Sequence, residues 1–504
     1  MADAKHQLRW ANFLHFYQPA EQQQDILEAV ITSSYRPIFE RLKNDSRARL
    51  TMNITGALLE LFDRYHHTDL IDDLREAGRA GRVEFTGSAK YHALLPFLDN
   101  DEIIRQITIN NETNGFYLGD AFRPQGFFPP EMAVREELAP ILEELGFSWV
   151  ILDEIASGQD VGTLDYTKLY RVKGHHLLIY FRERRPSNVI MSAVARTLET
   201  LTSALRHDLK QNRYMITAMD GETFGHHRPG LEKLLFSIFD SPAFNLVTIS
   251  EITKSFSNVI EVAPVQSTWA SSKEDIEKKI QFLSWSDPTN NIHGWQWELL
   301  HLVLGEVKKL DHTQPQYPEV RKKMDLALAS DHFWWASAKP WWSLEMIEDG
   351  AFRLLDTLRS MPDIQKEILE RARDLYEHII STAFHWQRTG KIRTMMKEQH
   401  AFMRIPFKDR TIGRGGAEEG VYRAFLAMMN DLETKAAASG EYEKAILWRD
   451  AAFKLEHKMD IYDTLNAIDL VRLEVPHQEV ERIIEQYKER YRQIRGGQPE
   501  QRGA

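Results

Sequence analysis

The chain has 504 residues, 43% of them hydrophobic. That is too long for one ordinary core and sets an expectation of two or three packed domains. A net charge of −11 excludes a general nucleic-acid binder, and the absence of cysteine excludes disulfides, thiolate zinc sites and cysteine nucleophiles together.

The first residues, MADAKHQLRW, lack the basic stretch and apolar core of a signal peptide, and no apolar run reaches the roughly 20 residues that cross a bilayer. A soluble cytoplasmic protein without a membrane partner is expected. Aromatic residues make up 11% of the chain. Such rings fill cores or stack on the apolar faces of sugars.

From residue 8 to about 255, short β-type runs alternate with amphipathic helical ones. Strands are expected over residues 8–16, 49–54, 83–86, 126–128, 148–152, 176–181, 214–219 and 246–249. Helices with apolar residues at three-to-four spacing are expected over 22–42, 56–80, 101–118, 132–145 and 194–211. Seven or eight such units point to an α/β fold with a closed or nearly closed parallel barrel. After about residue 270 the β signal stops. Helices are expected over 274–285, 295–309, 320–335, 344–359, 363–387, 418–438, 442–457, 460–473 and 478–494, an all-helical C-terminal region. Domain boundaries follow: 1–265 for the barrel, 266–410 for a helical region beside it, and 411–504 for a C-terminal bundle and tail.

Polar residues recur at the strand ends: His15 and Gln18, Glu84, Glu131, Arg182, then Asp220 and Glu222 in the stretch RYMITAMDGETFGHHRP. In a barrel these would gather at one mouth, where chemistry in α/β proteins is placed. Loop polarity alone is the competing reading for any one of them. Glu84 stands inside an otherwise apolar strand, where a carboxylate is costly to bury without a partner. Glu131 follows a double proline and could serve as a first-turn helix acid. Asp220 is harder to explain as a cap, because Gly225 and Pro229 delay any helix after it. Together Glu131 and Asp220 suggest a two-carboxylate enzyme of the glycosidase kind, in which one carboxyl protonates the leaving oxygen while the other attacks or stabilises the anomeric centre.

Five ordered stretches, HFYQP, VEFTGSAKYHALLP, GFFPPEMAV, MDGETFGHH and ALASDHFWWAS, resemble the signature regions of glycoside hydrolase family 57 over roughly residues 8–340. The resemblance implies a (β/α)7 barrel, a distorted TIM-type barrel, followed by helices that complete the active site. It also implies retaining chemistry on α-linked sugars, of the amylase, 4-α-glucanotransferase or branching-enzyme type. On the matching positions, Glu131 is the implied nucleophile and Asp220 the implied general acid/base. His15 would bind substrate beside the nucleophile, Glu84 would support the site, and Asp331 with Trp334 would close it from the helical side. Tyr17 departs from the pattern, standing where many members carry a second histidine, and Phe127 and Phe128 stand where many carry a tryptophan.

The cluster HFWWASAKPWW offers Trp334 and Trp341 as a stacking platform for a sugar chain, with core packing as the competing reading. Gln18, Arg182, Glu222, His226 and His227 complete the candidate substrate site. The rest of the basic run RERRP reads as a solvated loop, and TIGRGGAEEG as a loop without the lysine and hydroxyl of a phosphate site. The expected partner is an oligo- or polysaccharide, no metal or cofactor is called for, and a homo-oligomer is left open. Two rivals remain. A metal-dependent deacetylase or mannosidase-like hydrolase would use His15, Asp220, His226 and His227 as ligands, and a non-catalytic carbohydrate-binding protein would keep the same barrel.

Overall fold

The computed structural model describes residues 8–193, 195–339, 341–395 and 418–457, with isolated positions between 468 and 487. Among the described residues there are ten strands: β1 (Arg9–Phe16), β2 (Leu50–Ile54), β3 (Val83–Phe85), β4 (Gly126–Phe127), β5 (Trp149–Asp153), β6 (Leu169–Val172), β7 (Leu178–Arg182), β8 (Tyr214–Asp220), β9 (Asn245–Leu246) and β10 (Val259–Val262). Every residue of β1 after Arg9 is buried. Burial on both faces is what a parallel strand in the middle of a barrel requires, and it explains why RWANFLHF shows no strict alternation.

Parallel pairing gives the order β3-β2-β1-β8 in one sheet, while the other runs β10-β6-β7-β5-β4. Two links join them. Gly87, just past β3, forms a parallel bridge with Phe127, and the Glu183 amide after β7 donates to the Ile216 carbonyl of β8 at 2.9 Å. Followed through these links, β1, β2, β3, β4, β5, β7 and β8 lead back to β1, a ring of seven. The β6 strand lies outside it, antiparallel to β7, with β10 along its far edge. Where β4 meets β5 the strands come so close that a Cβ on Gly126 would lie 2.2 Å from the Trp149 ring. Only glycine fits there.

The outer helices cover the ring with one apolar layer in which Trp10, Leu14, Phe16, Tyr35, Phe39, Met52 and Phe62 are buried. Several expected helices are shorter or divided. Residues 22–42 form Gln24–Val30, a wider turn at Ile31–Tyr35, and Arg36–Asn44. Residues 56–80 form Gly56–Arg64 and Thr68–Arg79, parted where His66 takes a φ of 63°. The helix expected from 132 starts only at Leu138, because Glu131 and Met132 have φ of 61° and 50°. The run RERRP is not a solvated loop. Arg182 and Glu183 are buried, and Arg184 opens a helix to Met191 while its Nε donates to Asp153 at 2.5 Å.

No strand follows β10 among the described residues. Helices Asn291–Val307, Tyr317–Ala327, Leu344–Arg359 and Lys366–Thr389 pack on one another. Asn290 caps the first of them, accepting from the amides of Ile292 and His293. Residues 274–285, expected as a helix, keep one short turn at Lys273–Glu277. A buried ion-pair group ties this region to the barrel helix Asn100–Leu118. Arg321 grips Glu102 at 3.0 and 2.7 Å and Asp325 at 2.9 Å, and Arg105 holds Asp325 at 2.8 and 2.6 Å.

The chain divides into two compact units, one of residues 1–226 with 231–394 and the other of 227–230 with 395–504. The barrel and the four helices belong to the first. In the second, helices Glu418–Ala438 and Tyr442–His457 pair around Phe425, Met429, Trp448 and Leu455. The helices expected over 460–473 and 478–494 fall outside the described residues apart from isolated positions, as do residues 411–417 of the glycine-rich stretch.

Candidate active site

Asp220 is the last residue of β8, and in the ladder it stands opposite His15 of β1, which in turn stands opposite Asn53 of β2. The three side chains thus share one level at the carboxyl ends of the strands. His15 Nδ1 lies 2.7 Å from Asn53 Oδ1, an acceptor, so Nδ1 carries the ring hydrogen. Burial lowers the His15 pKa to about 4, which keeps the ring neutral.

Glu131 lies in the turn Pro130–Met132 that follows β4. Its left-handed backbone is strained for a residue with a side chain, a cost of order 1–3 kcal/mol that neighbouring contacts must offset. Those contacts come from beyond the barrel. The Trp269 indole N–H donates to Glu131 Oε2 at 2.7 Å, and the Trp269 amide donates to the Glu131 carbonyl at 3.1 Å. Arg184 holds that loop in place, donating to the carbonyls of Trp269 and Ser271 at 3.1 and 2.8 Å. On the other side, His92 Nε2 lies 3.9 Å from Glu131 Oε1.

Four carboxyl groups here are shifted upward, each chiefly by loss of water. Glu131 is pushed up to about 8 by burial and then by the charge of Asp220, against the Trp269 hydrogen bond. Asp220 rises to about 6, held back by Arg182. Glu222 rises to about 8 through burial and Asp220, and Asp331 to about 6 through burial against its bond from Tyr17. Asp220 ionises before Glu131, and its negative charge then keeps a proton on Glu131. Two half-buried carboxyls, each with its pKa raised toward neutrality, are equipped for acid/base work and for attack on an electrophilic carbon.

Residues 4–264 match one protein family, described as Glycosyl hydrolase family 57. The chain belongs to glycosyl hydrolase family 57. An alpha-amylase of Pyrococcus horikoshii is 24% identical over 257 residues, which cover 48% of this chain and 40% of that relative. The matched part is therefore well under half of that relative's length. Among solved structures, a GH57-type branching enzyme from Pyrococcus horikoshii superposes with a TM-score of 0.57 at 16% identity, covering 75% of this chain and 96% of its own. The 4-alpha-glucanotransferase from Thermococcus litoralis gives 0.55 at 18% identity, covering 71% of this chain and 59% of its own. These likenesses establish the fold, the (β/α)7 barrel and helical region expected from the sequence.

The residues singled out by the family 57 motifs fall at different places. Gln18 donates to Glu222 Oε1 at 3.1 Å, and the Tyr35 hydroxyl binds the same oxygen. Tyr17 donates to Asp331 Oδ2 at 2.7 Å, joining the first motif to the fifth. Arg182 lies beneath Asp220, donating to Asp153 at 2.7 Å and to the Ala218 carbonyl at 2.8 Å. Glu84 is one inward-facing step below His15, level with Thr51, from whose hydroxyl it accepts at 3.0 Å, and it also accepts from the Ser250 amide at 3.2 Å. Trp334, in the short helix Asp331–Trp334, stacks on Trp341 with centroids 4.4 Å apart, and Trp335 meets both edge-on; all three are half-buried.

The two histidines of the fourth motif lie just past the turn at Gly225. His226 Nδ1 lies 3.2 Å from Ser33 Oγ, and His227 is exposed. Gly225 turns the chain there with a φ of 107°, and a Cβ would lie 1.8 Å from the Ser33 carbonyl oxygen. No group of three His, Asp or Glu among the described residues is arranged to hold a metal ion. Three residues of the site were not expected from the sequence. His92 lies within the second motif but beyond its strand, Asn53 is one polar residue of a buried strand, and Trp269 follows the barrel in a stretch with no periodic pattern.

Proposed function

We propose that this chain is an α-glucan-active glycosidase or transglycosylase that works by double displacement, with Glu131 as nucleophile and Asp220 as general acid/base. The observation that carries the reading is the pair itself: two half-buried carboxyls at the ends of β4 and β8, which are not adjacent in the ring, near enough that the charge of Asp220 raises the Glu131 pKa. In the first step Glu131 attacks the anomeric carbon while Asp220 protonates the departing oxygen. In the second, Asp220 takes a proton from water or from a sugar hydroxyl, which displaces Glu131.

That sequence needs Glu131 ionised and Asp220 protonated as the first step begins. The ligand-free order is the reverse, so substrate binding has to move the proton. A glycosidic oxygen seated against Asp220 excludes water there and raises its affinity for the proton. Positive charge growing at the anomeric carbon favours ionised Glu131. Trp269 assists by donating to the carboxylate form.

The other roles belong to the same proposal. His15, Gln18 and Glu222 line the sugar site beside the pair, Arg182 restrains Asp220 from below, and Glu84 braces the wall that carries Asn53. Asp331, Trp334 and Trp341 form the helical side, the tryptophans offering flat faces to a glucan chain, and His226 marks its outer rim. We place the protein in the cytoplasm, to be tested by cell fractionation. The deciding experiment is product analysis after incubation with maltooligosaccharides. A ladder of longer and shorter chains identifies a transferase, and glucose or maltose a hydrolase. Unchanged sugar that still binds to parent, Glu131→Gln and Asp220→Asn alike defeats the catalytic reading in favour of a binding protein.

A further inference from the structure

His92 is buried and sits at a φ of 55°, a strained setting for a large side chain. Its ring is clamped: Tyr17 stacks on it at 4.4 Å between centroids and His15 at 5.1 Å. Its neighbour on the helical side is Ser330. The Ser330 hydroxyl donates to the His92 carbonyl at 2.7 Å and lies 3.2 Å from His92 Nδ1. A hydroxyl has one hydrogen, and the shorter contact takes it. Toward the ring, Ser330 Oγ is therefore an acceptor, and Nδ1 must carry the hydrogen that it accepts. In a neutral imidazole the other nitrogen is then bare. That nitrogen, Nε2, has no hydrogen-bond partner among the described residues, and Glu131 Oε1 lies 3.9 Å away.

We propose that His92 is a positioning residue for Glu131: its bare Nε2 takes the proton that Glu131 sheds as substrate binds, leaving a carboxylate beside an imidazolium. The inference rests on the double-displacement reading. The step balances, since the Glu131 O–H bond breaks, an Nε2–H bond forms, and no other bond changes. The gap exceeds a direct hydrogen bond and closes through one water or by the small tightening that bound substrate brings. Once charged, the ring lies against the face of Tyr17, which favours a cation. The titratable groups around it are His15 from β1, Tyr17 just past β1, Glu131 from the turn after β4, and Asp331, next to Ser330 and bonded to Tyr17. Burial, and after it His15, hold the His92 pKa well below its ordinary value, the carboxylate form of Glu131 favours the charge, and Asp331 accepts the hydrogen of Tyr17.

Two measurements on the full chain test this. Histidine labelled with nitrogen-15 should show His92 with Nδ1 protonated and Nε2 bare without ligand, and Glu131→Gln, whose amide can donate, should shift the Nε2 signal. Finding the hydrogen on Nε2 overturns the proposal. The second is the pH profile of kcat/KM for His92→Asn, chosen because Asn tolerates a left-handed backbone. With its acceptor gone, Glu131 keeps its proton to higher pH. The acidic limb should move up by about one unit, roughly a tenfold loss at a fixed pH on that limb, with KM little changed. A limb that stays in place while the variant melts like the parent overturns the proposal. If the parent turns over no α-glucan, the proposed function fails, and the nitrogen signals still decide the tautomer.

Discussion

Tyr17, just past the first barrel strand, donates its hydroxyl hydrogen at 2.7 Å to Asp331, 314 positions later in the helical region. The same ring stacks on His92. One side chain thus braces the carboxylate on the helical wall and the imidazole beside Glu131. Tyr17→Phe keeps the stack and removes the bond. A hydrogen bond to a charged group is worth about 1.5–3 kcal/mol, so a thermal melt at neutral pH should show a loss of that order. KM for oligosaccharides should rise more than kcat falls.

On the proposed roles, Asp220→Asn removes the proton donor, with an expected loss of about 10²–10⁴-fold in kcat on maltooligosaccharides. The loss in the first step should nearly vanish with an aryl glycoside whose leaving group needs no proton. Glu131→Gln should be inactive on both substrates. Rates on the two substrate types distinguish the roles, and equal rescue of both variants by the activated substrate would contradict the assignment.

Trp269→Phe takes the donor away from Glu131 Oε2. That hydrogen bond favours the ionised carboxyl, so its loss raises the Glu131 pKa further from about 8. The acidic limb of kcat/KM should move to higher pH, with a fall of roughly 10–100-fold at neutrality, the equivalent of about 1.5–3 kcal/mol. A pH series of initial rates checks it.

The raised carboxyls also make stability depend on pH, and the sign follows from proton uptake. A carboxyl whose folded pKa exceeds its unfolded one binds more protons when folded, so stability falls as pH rises between the two values. For Glu131 that window runs from the ordinary 4.5 to about 8. Glu131→Gln should match the parent near pH 4.5 and become more stable as pH approaches 8, by on the order of 2–4 kcal/mol. Thermal melts at matched pH values measure the gap, and a gap that does not widen with pH would refute the sign.

Arg321 is buried with Glu102 and Asp325, and its side-chain bonds among the described residues go to these two and to neither Glu131 nor Asp220. Removing one partner of a buried ion pair leaves uncompensated charge and costs about 3–5 kcal/mol. Arg321→Leu should lower the unfolding midpoint by that measure in denaturant titration. Activity per folded molecule should stay near the parent value.

Much of this was legible in the sequence, for identifiable reasons. Strands β1, β2, β5, β7 and β8 were readable because their apolar runs are bounded by turn residues, and Asp220 and Glu131 because each ends such a run. The hairpin strand β6 was missed because LYRV is short and offers little apolar signal, and β10 because Val259, Ile260 and Glu261 are exposed. The helix expected from 132 failed at its start because the turn that carries Glu131 overrides local propensity: Glu131 and Met132 are left-handed where a helix would need otherwise. Trp269 and His92 were invisible for a different reason. Each matters through a partner distant in sequence, and no local spacing encodes which carboxylate an indole will meet.

The supports of the site reach back along the chain, Trp269 to Glu131 and Ser330 to His92. During synthesis the N-terminal end leaves the ribosome first, at roughly 5–20 residues per second. Both carboxylates are therefore made before either support exists. For the proposed chemistry, a half-translated chain carries its two acids with neither proton fixed in place. On that reading, docking of the segments around Trp269 and Ser330 is also the step that completes the proposed site.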